Sequence, residues 1–105
     1  MTNEFIKSLL VESIKDGTYF STALNMCIAK CIADTMSAKN ISKNDLAIKL
    51  NLSIEQIEYY LSGFSSFDTN FLGKLSIQLG IQFEVNIKNI DVSTDEAIWK
   101  YLSNE

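Results

Sequence analysis

The feature that most constrains the fold is a pair of helix-start signals, eleven residues apart, in the middle of the chain. SKND at 42–45 and SIEQ at 53–56 each place a serine three residues before an acid or amide. In such a capping box, the serine hydroxyl accepts a hydrogen bond from the third residue, whose side chain accepts one from the serine backbone. Asn51 lies between the signals, and asparagine tolerates the left-handed backbone of a tight bend. The stretch 45–63, DLAIKLNLSIEQIEYYLSG, therefore predicts two short helices that meet at Asn51.

Apolar residues at helical spacing dominate the first four fifths of the chain. One stripe precedes Gly17, where a helix would end, and it consists of Ile6, Leu9, Leu10 and Ile14. A second stripe predicts a longer helix from residue 21 to about residue 38, and it consists of Leu24, Ile28, Cys31, Ile32 and Met36. Asp68 can cap a helix over residues 69–79 that Gly80 ends, with inward-facing Leu72, Leu75 and Leu79.

The period of the apolar residues changes after residue 80. Over residues 81–87, apolar side chains alternate with polar ones, which is the repeat of a half-buried β-strand. Ser93 or Thr94 can then cap a short helix with the apolar edge Ile98, Trp99 and Leu102. The sequence thus predicts a mainly α fold of five to six helices with one C-terminal β-strand and a short terminal helix. We expect residues 1–105 to form one domain: an N-terminal helix (1–20), a helix-turn-helix core (21–80), and the strand with the C-terminal helix (81–105).

Composition argues against several classes of function. The chain has no histidine and only two cysteines, Cys27 and Cys31, so it cannot complete a structural zinc site, and we expect both thiols to pack in the core. It shows no glycine-rich phosphate loop and no nucleophile beside a base, which indicates a protein that is not an enzyme and uses no metal or cofactor. No apolar run has the length of a membrane span, and residues 1–16 are unlike a signal peptide. We therefore expect a cytoplasmic protein.

With these elements in place, the chain resembles the helix-turn-helix repressors of the lambda-repressor or Xre type, and among them the HigA-like antitoxins. In that family, the first helix of the motif has a small residue and then an apolar residue three positions later; here these are Ala47 and Leu50. A tight bend follows, with a branched residue six positions beyond it; here these are Asn51 and Ile57. The resemblance runs from about residue 21 to residue 87 and includes IQFEV after Gly80. IKDGTYF at 14–20 is similar to the front end of antitoxin-like members. The chain departs from the family at Asn51, where glycine is usual.

The resemblance implies roles for the second helix of the motif, whose outward face enters the major groove of DNA in the family. Base contacts would be made by Glu55, Gln56 and Tyr59, to cytosine N4, to adenine, and to a thymine methyl or a phosphate, respectively. Phosphate contacts would be made by Lys43 and Ser53, with Lys39, Lys49 and Lys74 as weaker candidates. Each base-contact residue also has a structural interpretation: glutamine as part of its capping box, glutamate at the helix dipole, and tyrosine as ordinary surface.

The charge of the motif leaves two functions open. All nine basic residues are lysines, the net charge is −4, and between residues 37 and 80 four lysines are balanced by four carboxylates. Because arginine is the better ligand for phosphate and guanine, we expect one copy to bind DNA poorly and a homodimer to double its contacts. The leading hypothesis is a sequence-specific transcriptional regulator, an antitoxin-like autorepressor that binds double-stranded DNA as a homodimer and can hold a cognate toxin. The alternative is a protein-interaction module that uses Glu55, Glu58 and Tyr59 to bind a basic partner.

Overall fold

A computed structural model describes residues 2–103 of the chain. These residues form six helices: α1 (Thr2–Lys15), α2 (Thr18–Ala38), α3 (Lys43–Leu50), α4 (Ile54–Leu61), α5 (Thr69–Leu79) and α6 (Asp95–Ser103). The prediction of a mainly α fold with five to six helices is confirmed. The helices are organised in two compact units. Residues 22–84 form the central unit, and the described residues before 22 and after 84 form the terminal unit.

The bend predicted at Asn51 is present between α3 and α4. Asn51 has φ 55° and ψ 47°, which is the left-handed conformation, and the backbone N–H of Leu52 donates to the carbonyl of Ala47 at 2.9 Å. Both capping boxes are formed, the first by Ser42 and the second by Ser53. Since these hydrogen bonds satisfy backbone groups at each side of the bend, they define where α3 stops and where α4 starts.

The core of the central unit joins one face of each of its helices. Its buried members are Ile32, Met36, Leu46, Ala47, Ile57, Leu75 and Leu79. Ile57 is the buried side chain of α4 and is only 1% exposed. Burying a side chain of this size contributes roughly 1.5–3 kcal/mol, which favours the orientation of α4 that turns this residue inward. The predicted bounds of α5 are confirmed, with Asp68 accepting from the Phe71 backbone N–H at 2.7 Å and Gly80 in the left-handed region.

The terminal unit brings α1 and α6 together. Its buried core is Val11, Ile14 and Ile98, with half-buried aromatic and aliphatic side chains packed around it: Tyr19, Phe20, Trp99, Tyr101 and Leu102. Lys15 on α1 donates to Asp95 at the start of α6 at 3.1 Å. The cap predicted for the last helix is Thr94, whose Oγ1 accepts from the Ala97 backbone N–H at 3.1 Å.

The predicted C-terminal β-strand is wrong. Residues 81–92 form neither helix nor strand, and no strand is present among residues 2–103. The alternation persists only in part: Ile81 and Phe83 pack against the central core, whereas Val85 and Ile87 are 87% and 91% exposed. A strand exists only as part of a ladder, and no second segment of the described chain pairs with this one.

Several predicted core positions are also wrong. In α1 and α2 the face that is buried lies one or two residues away from the face that the apolar spacing predicts. On α1 the buried residues are Val11 and Ile14, while Ile6 and Leu9 are exposed. On α2 they are Ala29, Ile32 and Met36, and the exposed residues include Leu24, Cys27 and Cys31. Within residues 2–103, no helix combines the length and apolar character that a membrane crossing needs.

Candidate nucleic-acid interface

The outward face of α4 carries the three side chains predicted to contact bases. Glu55, Gln56 and Tyr59 are all exposed, and the tyrosine is 58% exposed. Burial of Ile57 on the opposite side of the helix turns these positions to solvent. The structure therefore brings the predicted base-contact residues together on one accessible face.

Gln56 forms a capping box with Ser53, which is the structural interpretation given for this residue above. Its Oε1 accepts from the Ser53 backbone N–H at 2.9 Å, and its own backbone N–H donates to Ser53 Oγ at 3.1 Å. A bidentate contact with adenine needs both the amide oxygen and the amide nitrogen of the side chain. In this rotamer the Nε2 group is what Gln56 offers to a ligand, so it can donate to a base acceptor while the cap stays intact. The hydroxyl of Ser53 accepts in the same box and keeps its proton to donate to a phosphate.

Lys43, the leading candidate for a phosphate contact, lies beside a carboxylate of α4. Its Nζ is 3.5 Å from Glu58 Oε2, and both side chains are about half exposed, at 52% and 55%. This ion pair spans the bend, from the first residue of α3 to the middle of α4. Because an exposed pair of this kind is worth only about 0.2–1 kcal/mol, a phosphate can compete for the lysine, and Glu58 lowers the gain when it does.

Lys39 has a structural partner at the end of another helix. Its Nζ donates to the carbonyl oxygens of Leu79 and Gly80, at the C-terminal end of α5. A cation there satisfies carbonyls that have no partner within the helix and interacts favourably with the helix dipole. To contact a phosphate as predicted, Lys39 would have to break its hydrogen bonds to these two carbonyls.

Lys49 and Lys74 come together from α3 and α5. With Asn51, they line a shallow depression whose remaining walls are Leu50, Ile77 and Gln78. Hydrogen bonds from the backbone and side chain of Ser42 hold the pKa of Asp45 below its ordinary value, and the charge of Lys49 lowers that pKa further. The two lysines therefore line one depression next to the bend, and the Asp45 carboxylate partly offsets the charge of Lys49.

An aromatic cluster joins α4 to α5. The ring of Tyr60 stacks on that of Phe71 of α5 with centroids 4.2 Å apart and planes 20° apart, and it also packs near Phe67 at 5.7 Å. Tyr59 lies against Tyr60 at 6.1 Å. Since stacked rings of this kind add about 0.5–1.5 kcal/mol beyond their buried area, the pair Tyr60–Phe71 stabilises the packing of α4 on α5, and Tyr59 lies at the exposed edge of the cluster.

One ion pair of α4 and one exposed residue after its end were missed by sequence reasoning. Glu58 enters that reasoning only through the alternative function, and its pairing with Lys43 crosses a bend that no local pattern spans. Phe64, which follows the end of α4, is 83% exposed. The preceding Gly63 has φ 86°, and a Cβ there would come within 3.2 Å of Met26 Cγ, so the chain leaves α4 packed tightly on α2. The FSSF stretch at 64–67 gives no signal that its first phenylalanine faces solvent.

Comparisons with known proteins return no neighbour: no protein-family model, curated protein or solved structure matches the chain.

Proposed function

We propose that the chain is a sequence-specific DNA-binding regulator of the lambda-repressor helix-turn-helix type, acting as a homodimer. The observation that carries the proposal is the pair α3 and α4, held at a left-handed Asn51 and closed by two capping boxes. That arrangement leaves Glu55, Gln56 and Tyr59 exposed on a helix of eight residues, which is the size and presentation of a recognition helix. The finer proposal is an antitoxin-like autorepressor that acts in the cytoplasm and holds a cognate toxin.

The phosphate contacts of this proposal are few. Lys43 lies beside Glu58 of α4, and Ser53 caps that helix. Lys49 and Lys74 line a depression near the bend. Each phosphate that a lysine neutralises changes the slope of log affinity against log salt by about 0.9. With so few contacts in one copy, a two-fold pair reading half-sites about 34 Å apart supplies the affinity that a monomer lacks.

A protein-interaction module remains the second candidate, and the ion pair between Lys43 and Glu58 favours it. That pair ties up the leading phosphate ligand, and Glu55 with Glu58 makes α4 acidic. Such a face is complementary to a basic protein partner, including a toxin, and it repels phosphate.

Fluorescence anisotropy of a labelled random duplex separates the two candidates. The proposal predicts binding at low salt that weakens as salt is raised, and a loss of affinity in Lys43→Ala that is absent in the matched variant Lys100→Ala on α6. Selection from a randomised duplex pool should then enrich a two-fold symmetric sequence. Absence of binding to any duplex at the lowest salt would reject DNA binding and leave the protein-interaction candidate.

A further inference from the structure

The two cysteines of the chain form an exposed pair on α2, although their spacing predicts them in the core. Cys27 and Cys31 are both free thiols in contact with solvent, four residues apart on one face of the helix. Partial desolvation, then the charge of Cys27 and a hydrogen bond between the two side chains, raise the pKa of the Cys31 thiol. The two thiols are therefore close enough to interact. Because free cysteine is among the most often buried residue types, such an exposed pair is unusual.

The spacing of this pair suits a bridging metal ion better than a disulfide. A disulfide needs Cβ atoms about 3.5–4.5 Å apart, whereas residues four apart on a helix have Cβ atoms about 5–6 Å apart, so closing the bond would distort α2. An ion between the sulfurs spans the gap, because two metal–sulfur bonds of roughly 2.3 Å in line place the sulfurs about 4.6 Å apart. Two ligands four residues apart on a helix reach one metal ion in the same way in the HExxH motif.

The number and the kind of ligands select the ion. Within residues 2–103, no three side chains of histidine, cysteine, aspartate or glutamate come together to hold a metal, and the whole chain contains no histidine. Zinc needs four ligands, and magnesium and calcium need several oxygens, so one such pair suits none of them. Soft thiolates select Cu(I), and this monovalent ion is satisfied by two of them in line.

We propose that Cys27 and Cys31 form a site for one Cu(I) ion, held in line between the two sulfurs of a single chain. Binding exchanges protons for metal: one Cu(I) ion and two thiols give a bis-thiolate complex of charge −1 and release two protons to solvent, with no change of oxidation state. Both ligands lie on one helix within residues 22–84, so a single copy completes the site. The site goes beyond the proposed function and does not depend on it, since α2 lies outside the α3–α4 motif.

Competition with bicinchoninate, which forms a coloured complex with Cu(I), tests the site. The protein is reduced beforehand, and the titration is run without oxygen and with ascorbate to keep the copper monovalent. The wild type should withdraw one Cu(I) ion per chain from the coloured complex. Cys27→Ser and Cys31→Ser should each raise the Cu(I) dissociation constant by about a hundredfold or more. Loss of an outer-shell partner alone costs about 10–100-fold in metal affinity, and here one of two ligands is removed.

Met26 provides the matched control for these variants. It also carries a soft sulfur on an exposed side chain of α2, but that side chain lies against Gly63. Met26→Leu should therefore leave the Cu(I) dissociation constant unchanged. Because both cysteines are exposed, the serine variants should keep the far-ultraviolet circular dichroism spectrum of the wild type, so that their loss of copper reports the ligands and not the fold.

A wild type that withdraws no Cu(I) from bicinchoninate overturns the proposal, as do serine variants that bind Cu(I) as tightly as the wild type. Sedimentation velocity adds a second readout, since copper should leave the association state unchanged. A copper-dependent dimer that shares one ion between two chains would overturn the single-chain site, and so would displacement of Cu(I) by an equal concentration of Zn(II). Because no DNA is present, a chain that binds copper and no duplex would reject the proposed function alone, and a chain that binds duplex and no copper would reject the copper site alone.

Discussion

Neutralising Glu58 should strengthen binding to DNA, since this carboxylate holds the lysine that the proposed interface needs. In the folded chain, Glu58 Oε2 lies 3.5 Å from Lys43 Nζ. Glu58→Gln keeps the shape of the side chain and removes its charge. The freed lysine can add one phosphate contact per protomer, which steepens the salt dependence by up to about 0.9 for a monomer and about 1.8 for a dimer. Lowering the salt from 200 to 50 mM raises the affinity of both proteins for DNA. For Glu58→Gln this rise should be larger than for the wild type, by a factor of roughly three if the protein binds as a monomer and roughly ten if it binds as a dimer.

Anisotropy titrations of one duplex at several salt concentrations measure this slope directly. Glu96→Gln, an exposed carboxylate on α6, makes the same change in net charge and serves as the matched control. The double variant Lys43→Ala/Glu58→Gln should lose the gain, because the lysine that carries it is absent. If Glu58→Gln and Lys43→Ala/Glu58→Gln both have the same slope as the wild type and the control, Lys43 does not reach a phosphate and this part of the interface is refuted.

Three further predictions concern stability, each measured by urea unfolding followed by circular dichroism. Asn51 has a positive φ, so Asn51→Gly should be more stable than Asn51→Ala by roughly 1 kcal/mol. The hydroxyl of Ser65 is buried without a partner among the described residues, and Ser65→Ala should raise the free energy of unfolding by roughly 1 kcal/mol. Hydrogen bonds from Ser42 lower the pKa of Asp45 in the folded state. The contribution of the Asp45 carboxylate to the free energy of unfolding is therefore present above its unfolded pKa of about 3.9 and is lost as pH falls through the lower folded pKa. Asp45→Asn should flatten the pH dependence of the free energy of unfolding in that range.

A different result would contradict each of these three stability predictions. A glycine at 51 that is less stable than alanine would mean that the bend is not left-handed in solution. A clear loss of stability in Ser65→Ala would mean that its hydroxyl has a partner, such as a bound water. An unchanged pH profile in Asp45→Asn would mean that the capping box at Ser42 is open.

Features that depend on a few neighbouring residues could be predicted from the sequence. The caps at Ser42, Ser53 and Asp68 each join residues three apart, so the pattern that predicts them also contains both partners. For the same reason, the bend at Asn51 and the bounds of α5 agree with the prediction.

Features that join distant residues could not be predicted in this way. Lys39 caps α5 about forty residues further along the chain, and Lys43 pairs across a bend with Glu58. Exposure of Cys27 depends on how far α2 is rotated against the core, which a stripe of helical spacing does not specify within one residue. The strand over residues 81–87 failed for a related reason, because alternation describes one strand and says nothing about whether a partner exists.

The most direct test of the account is an NMR titration of the ¹⁵N-labelled chain with a duplex at low salt. If α4 is the recognition helix, the backbone amides that shift most should lie at residues 53–59, together with that of Lys43 at the start of α3. Shifts confined to other parts of the chain, with 53–59 unmoved, would contradict the central claim that the exposed face of α4 binds DNA.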